Sequence, residues 1–152
     1  MQFLENEIAH YTEMVWDTSL SLTVSKTDTE ALQAETLAPR CAIQITGKWN
    51  GWLVLVLSKE LTRMATNSFF GPGSAEDPEL LEDTLKELAN QIGGNLKNLF
   101  PSPTQLNIPV ASLNGTQLEF PETEIRTQLK FNIQGQLLET LLLENQSAEL
   151  AQ

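Results

Sequence analysis

One cysteine, one histidine, one tyrosine and nine basic residues in 152 positions leave little material for several common chemistries. Cys41 alone cannot close an intramolecular disulfide, and with only His10 to join it there is no Cys/His set for a zinc site. Nine Lys and Arg against 20 Asp and Glu give a formal net charge of -11, and no basic run interrupts it. That balance argues against unaided binding to nucleic acid or to an anionic membrane. No stretch reaches the roughly 20 apolar residues of a spanning helix, and MQFLENEIAH lacks the basic start and apolar run of a signal peptide. A cytoplasmic protein with no nucleic-acid or membrane partner is the expectation.

What remains is a chain of one-domain length, 41% hydrophobic, with periodic signals along most of it. Residues 1–152 are read as a single domain, with 145–152 a frayed tail. From about Phe3 to Thr18 the spacing of Leu4, Ile8, Tyr11 and Val15 predicts a one-sided helix, and LSLTV at 20–24 a short strand. Ser25 to Pro39 reads as a connection. CAIQITGKW and WLVLVL flank Asn50-Gly51, the dipeptide suited to the positive φ angles of a tight hairpin. Ser58 is placed to cap a helix containing Leu61, Met64, Ala65 and Phe69, which Gly71-Pro72-Gly73 ends. A long helix follows, from about Pro78 or Glu79 to Leu99. Strands are expected near Leu106 to Ser112 and Gln117 to Phe120, and a hairpin about Gly135 closes the chain, with Leu129, Phe131 and Ile133 alternating against a solvated face. The fold class is α+β, a two-layer arrangement of an antiparallel or mixed sheet covered by long helices.

The long helix carries the informative anomaly. At about 100° per residue, Leu81, Leu85, Leu88, Ile92, Leu96 and Leu99 fall within roughly 80° of one another and define a core face. Asp83, Glu87 and Asn90 lie about 135–180° from its centre, on one exposed stripe that Gly94 continues. Lys86 and Lys97 sit beside it. An exposed Gly inside a helix costs about 1 kcal/mol relative to Ala, so a glycine opposite the core suggests a surface on which something docks. A carboxamide can accept from and donate to one water, and a carboxylate can pair with a cation. Neither is a strong nucleophile, and the pair fits positioning better than covalent attack.

The spacing Asp83, Glu87, Asn90, with Gly94 and Lys97 further along, resembles the motif helix of the CheX/CheC-type chemotaxis phosphatases, closest to the CheX branch. The resemblance extends to the opening helix, the ITGKWNGWLVLVLSKEL hairpin and helix start, the LNIPVAS strand and the closing hairpin. In SKELTRMATNSFF, Glu60 is followed three residues later by Arg63 and not by an amide, so the doubled site of the CheC branch is absent. The resemblance implies a CheC-like fold and hydrolysis of the aspartyl phosphate of a CheY-like response regulator. Asn90 would orient the attacking water, Glu87 would pair with a lysine of the regulator, and Gly94 would let the backbones approach. Asp83, Lys86 and Lys97 are the flanking partner-binding candidates. No cofactor of its own is implied, since Mg²⁺ would be supplied by the phosphorylated regulator, and a homodimer joined through sheet edges is. The alternatives are a non-catalytic receiver-binding adaptor and a structural domain of the flagellar-switch type.

Plainer roles are expected elsewhere. Cys41 reads as a small buried filler, His10 as a surface residue, Trp16 as core, and Trp49 and Trp52 as a pair packing across the hairpin.

Overall fold

Three helices and seven strands follow from the hydrophobic patterning, in a computed structural model that describes residues 2–27, 37–115 and 118–146. In chain order they are α1 (Glu5–Leu20), β1 (Ser25–Thr27), β2 (Arg40–Gly47), β3 (Gly51–Leu57), α2 (Lys59–Phe70), α3 (Pro78–Leu96), β4 (Thr104–Leu106), β5 (Val110–Ser112), β6 (Thr123–Ile133) and β7 (Gln136–Asn145). The strands form one antiparallel sheet of order β1-β6-β7-β3-β2-β4, with β5 also pairing with β2. No helix among the described residues is long and apolar enough to cross a membrane.

The period-two alternation decides which side chains meet the helices. Cys41, Ile43 and Ile45 of β2, Leu53, Leu55 and Leu57 of β3, and Leu129, Phe131 and Ile133 of β6 join one core with Ile8 and Trp16 of α1 and with Leu85, Leu88 and Ile92 of α3. The opposite face of the sheet is also covered: Ala42, Val54, Val56 and Leu143 cluster there with Trp52, Phe120 and Leu141. Burial on both sides explains why WLVLVL is a continuous apolar run. It also corrects the expected solvated face of β6, because Lys130 is only 7% exposed, directly across from Glu139 at 8%.

Helix starts follow the expected capping. Ser58 Oγ accepts from the Leu61 N–H at 3.0 Å, and Asp77 Oδ1 accepts from the Glu79 N–H at 2.9 Å, with Pro78 at the first helical position of α3. The expected strand at 20–24 is replaced by a helix end. Ser21 takes a left-handed conformation (φ 56°) and the Leu22 N–H reaches back to the Trp16 carbonyl, so Leu20 stays in α1 and strand structure begins only at Ser25.

The hairpin between β2 and β3 forms, but not through positive φ at Asn50-Gly51. The left-handed glycine is Gly47, and Asn50 bridges the turn with its side chain, donating to the Gly47 carbonyl at 2.8 Å and accepting from its N–H at 3.2 Å. Gly51 is required for another reason: a Cβ there would lie 2.0 Å from the Leu143 carbonyl oxygen. The two tryptophans do not pack on each other. Trp49 stacks on Phe100 with centroids 4.6 Å apart at the helix side, whereas Trp52 meets Phe120 on the opposite face.

The strand expected over 106–112 is two short ones, separated where Pro109 offers no N–H to a ladder. Residues 118–120 form no strand, and Gln117 lies outside the described residues. The C-terminal boundary also moves: Asn145 ends β7 and the Gln146 N–H bonds to the Glu122 carbonyl at 2.7 Å, while 147–152 lie outside the described residues.

Candidate functional site

α3 rests on β2 and β3 and is flanked by both α1 and α2. This explains its wide buried arc, which includes Thr84, Ala89 and Gly93 beside the expected Leu85, Leu88, Ile92 and Leu96. Leu81 is half-buried, and Leu99 is exposed because the chain tightens into a 3₁₀ turn over Lys97–Leu99 and loses the α-helical register.

Only one stripe of α3 is left open. Asp83, Glu87, Asn90, Gly94 and Lys97 are all exposed on it, and Lys86 is half-buried at its flank. The two adjacent glycines have different surroundings. A Cβ on Gly93 would come within 3.0 Å of Ile43 Cγ2 in the core, and one on Gly94 would meet nothing within 4 Å. Gly93 therefore admits the sheet, and Gly94 has no packing role within the chain.

The polar groups of the stripe also differ. Glu87 Oε1 accepts from Gln91 Nε2 at 3.0 Å, and Gln91 Oε1 in turn accepts from Ser19 Oγ of α1 at 2.8 Å. The Asn90 carboxamide has no hydrogen-bond partner among the described residues, and neither Asp83 nor Lys97 forms an ion pair among them. Glu87 and Asn90, three residues apart, lie about 4.5 Å apart along the helix axis. One carboxylate is thus held while the adjacent carboxamide keeps its full donor and acceptor capacity.

Two surface clefts, one beside His10, Glu13 and Asp17 and one beside Pro39, Lys59 and Arg63, contain none of the stripe residues. An exposed helix stripe that lines neither of these clefts suits a macromolecular surface better than a small ligand. No group of three or more His, Cys, Asp or Glu side chains that could hold a metal occurs among the described residues. On α2, where a second amide would stand in a doubled site, Arg63 instead pairs with Glu76 at 2.8 Å, and this carboxylate holds the guanidinium above its ordinary pKa. Cys41 is buried and His10 exposed, as expected.

A family model described as chemotaxis phosphatase CheX matches residues 40–132, which takes in β2 through most of β6 and all of α3. The chain belongs to the CheX family. Solved CheX structures share its fold along nearly its full length. The CheX protein of Vibrio vulnificus is 18% identical, with a TM-score of 0.73 and coverage of 93% of this chain and 96% of its own. That of Desulfovibrio desulfuricans is 13% identical, with a TM-score of 0.78 and coverage of 93% and 99%. A third, from Borrelia burgdorferi, was solved as a CheX-CheY-BeF3-Mg complex; it is 12% identical, with a TM-score of 0.72 and coverage of 96% and 100%. No curated protein sequence matches the chain.

Sequence reasoning assembled the stripe but missed Gln91 and Ser19. The Glu87-x-x-x-Gln91 spacing is a legible helix pair. The contact with Ser19, 72 positions away, carries no local signal.

Proposed function

We propose that this CheX-family protein hydrolyses the aspartyl phosphate of a CheY-like response regulator, and that α3 is the surface presented to it. The observation that carries the reading is the exposed Asn90 carboxamide, unengaged among the described residues and about one helical turn from a restrained carboxylate. With the regulator docked, Asn90 accepts from and donates to a water, aiming its lone pair along the line opposite the phosphorus–aspartate bond. Attack forms the new P–O bond as the acyl phosphate P–O bond breaks, leaving the regulator's free aspartate and inorganic phosphate. The carboxamide is neutral and takes no proton; the proton leaves to a phosphoryl oxygen or solvent. Its contribution is to place the water and to favour the in-line geometry of the transition state.

Glu87 pairs with a cationic side chain of the regulator and sets the docking angle. Gly94 lets the regulator's backbone come close to α3, and Asp83, Lys86 and Lys97 make the surrounding polar contacts. Mg²⁺ is held by the regulator's acidic pocket and neutralises charge on the phosphoryl group there. The protein acts as a homodimer joined at a sheet edge, which leaves α3 open on each subunit, and the reaction is cytoplasmic, as its substrate is.

The test is multiple turnover. A phosphorylated receiver in tenfold excess over the protein should lose its label completely, at a rate proportional to protein concentration. Saturable binding of the receiver with an unaltered phosphate lifetime would instead establish the adaptor reading.

A further inference from the structure

Ser19 and Gln91 lie outside the residues to which a function was assigned above, and the geometry of their contact with Glu87 is directional. A carboxylate only accepts hydrogen bonds, so the Gln91 carboxamide must turn its NH₂ toward Glu87, which it does at 3.0 Å. Its Oε1 is thereby turned away from α3's open stripe and is met by the Ser19 hydroxyl at 2.8 Å. Ser19 stands in the last turn of α1, just before the left-handed Ser21 that ends that helix. The Glu87 side chain is therefore tied through Gln91 to a second helix, across 72 positions of chain. One carboxylate oxygen is occupied and the other remains available at the surface.

We infer that Gln91 is a positioning residue, which with Ser19 holds the Glu87 carboxylate ready for a cationic side chain of the docking receiver. The inference rests on the docking role proposed for Glu87. A free glutamate samples many rotamers and loses that freedom on pairing, whereas one already held in place loses less, so the restraint acts on affinity. It does not act on the water, because Asn90 forms no hydrogen bond with this chain of groups among the described residues.

The experiment uses the full-length protein and a CheY-like receiver activated with BeF₃⁻ and Mg²⁺ for binding, and phosphorylated for turnover. Gln91→Ala is expected to raise both Kd and KM about fivefold, the scale of one lost hydrogen bond to an exposed charged group, with kcat within about twofold. Ser19→Ala should weaken binding about twofold, and Ser19→Thr, which keeps the hydroxyl, should restore it. In the Glu87→Ala background Gln91→Ala should change nothing further. A fall in kcat at constant KM, or the same fivefold loss without Glu87, would overturn the inference, and a general loss of fold would show as a lowered melting temperature. In the free protein, the Gln91 side-chain NH₂ resonances should shift on Glu87→Ala, which removes their acceptor, and also on Ser19→Ala, which removes the donor to Gln91 Oε1. Resonances that Glu87→Ala leaves unmoved overturn the inference without any receiver. Binding without hydrolysis would sink the phosphatase reading and leave this inference standing, whereas failure to bind any receiver would sink both.

Discussion

Gly93 and Gly94 are neighbours on one helix with opposite tasks: the first faces Ile43 across a gap that a methyl group would close to 3.0 Å, and the second faces open solvent. Ala at Gly94 should stabilise the fold by about 1 kcal/mol, since it removes backbone entropy from the unfolded chain without a clash. Ala at Gly93 should destabilise it by about 1 kcal/mol, because Ile43 is fully buried and cannot yield. Thermal or urea denaturation of the two variants checks the order. Gly94→Ala should nevertheless weaken receiver binding about tenfold, a gain in stability with a loss of function. Unchanged affinity would remove the clearance role from Gly94.

Glu87→Lys should weaken receiver binding more than Glu87→Ala does, because a like charge is then presented to the receiver's cation. Both should leave the melting temperature within about 2 °C, as expected for an exposed side chain whose one hydrogen bond is to Gln91 of the same helix. Equal effects of the two substitutions on Kd would argue against a cationic contact.

The open stripe of α3 was more legible in the sequence than parts of the fold were. Face geometry on a long helix depends only on the 100° step, so Glu87, Asn90 and Gly94 could be aligned from their spacing and the open stripe found opposite Leu85 and Ile92. The same arithmetic could not show that α1 and α2 both flank α3, which widens its buried arc to Gly93, nor that a 3₁₀ turn would expose Leu99. Turn chemistry was misassigned at Asn50-Gly51 because the dipeptide's usual role was outweighed by tertiary contact: Gly51 is pressed against β7 and Asn50 closes the turn through its side chain. LSLTV failed as a strand because a left-handed helix end at Ser21 has no signature when the residue is not glycine.

Cys41 makes stability depend on pH. Burial pushes its thiol far above the ordinary range, while in the unfolded chain it ionises near pH 8.5. The folded pKa is the higher one, so this contribution is fully present below about pH 8.5 and is lost as pH rises from there toward the folded pKa. Unfolding free energy should fall between pH 8.5 and 10 by at most about 1.4 kcal/mol per pH unit, and Cys41→Ala should lose that component of the slope. The native thiol should also resist Ellman's reagent until the protein unfolds. Equal slopes in the two proteins would contradict this account.

The sheet edge at β4 and β5 leaves Ile108 86% exposed and Val110 36% exposed, a natural seam for the proposed dimer. Light scattering at micromolar concentration should give twice the chain mass, and Ile108→Glu should give a monomer of unchanged melting temperature. A monomeric mass for the unaltered protein would contradict the dimer.

Placement of the water by Asn90 is tested most directly by the decay of a phosphorylated CheY-like receiver mixed with saturating amounts of either the unaltered protein or Asn90→Ala. The first should accelerate decay strongly, and the second should give a rate lower by about 100-fold, the scale of a misplaced reacting group, with receiver affinity and melting temperature preserved. Acceleration that survives intact in Asn90→Ala would contradict it.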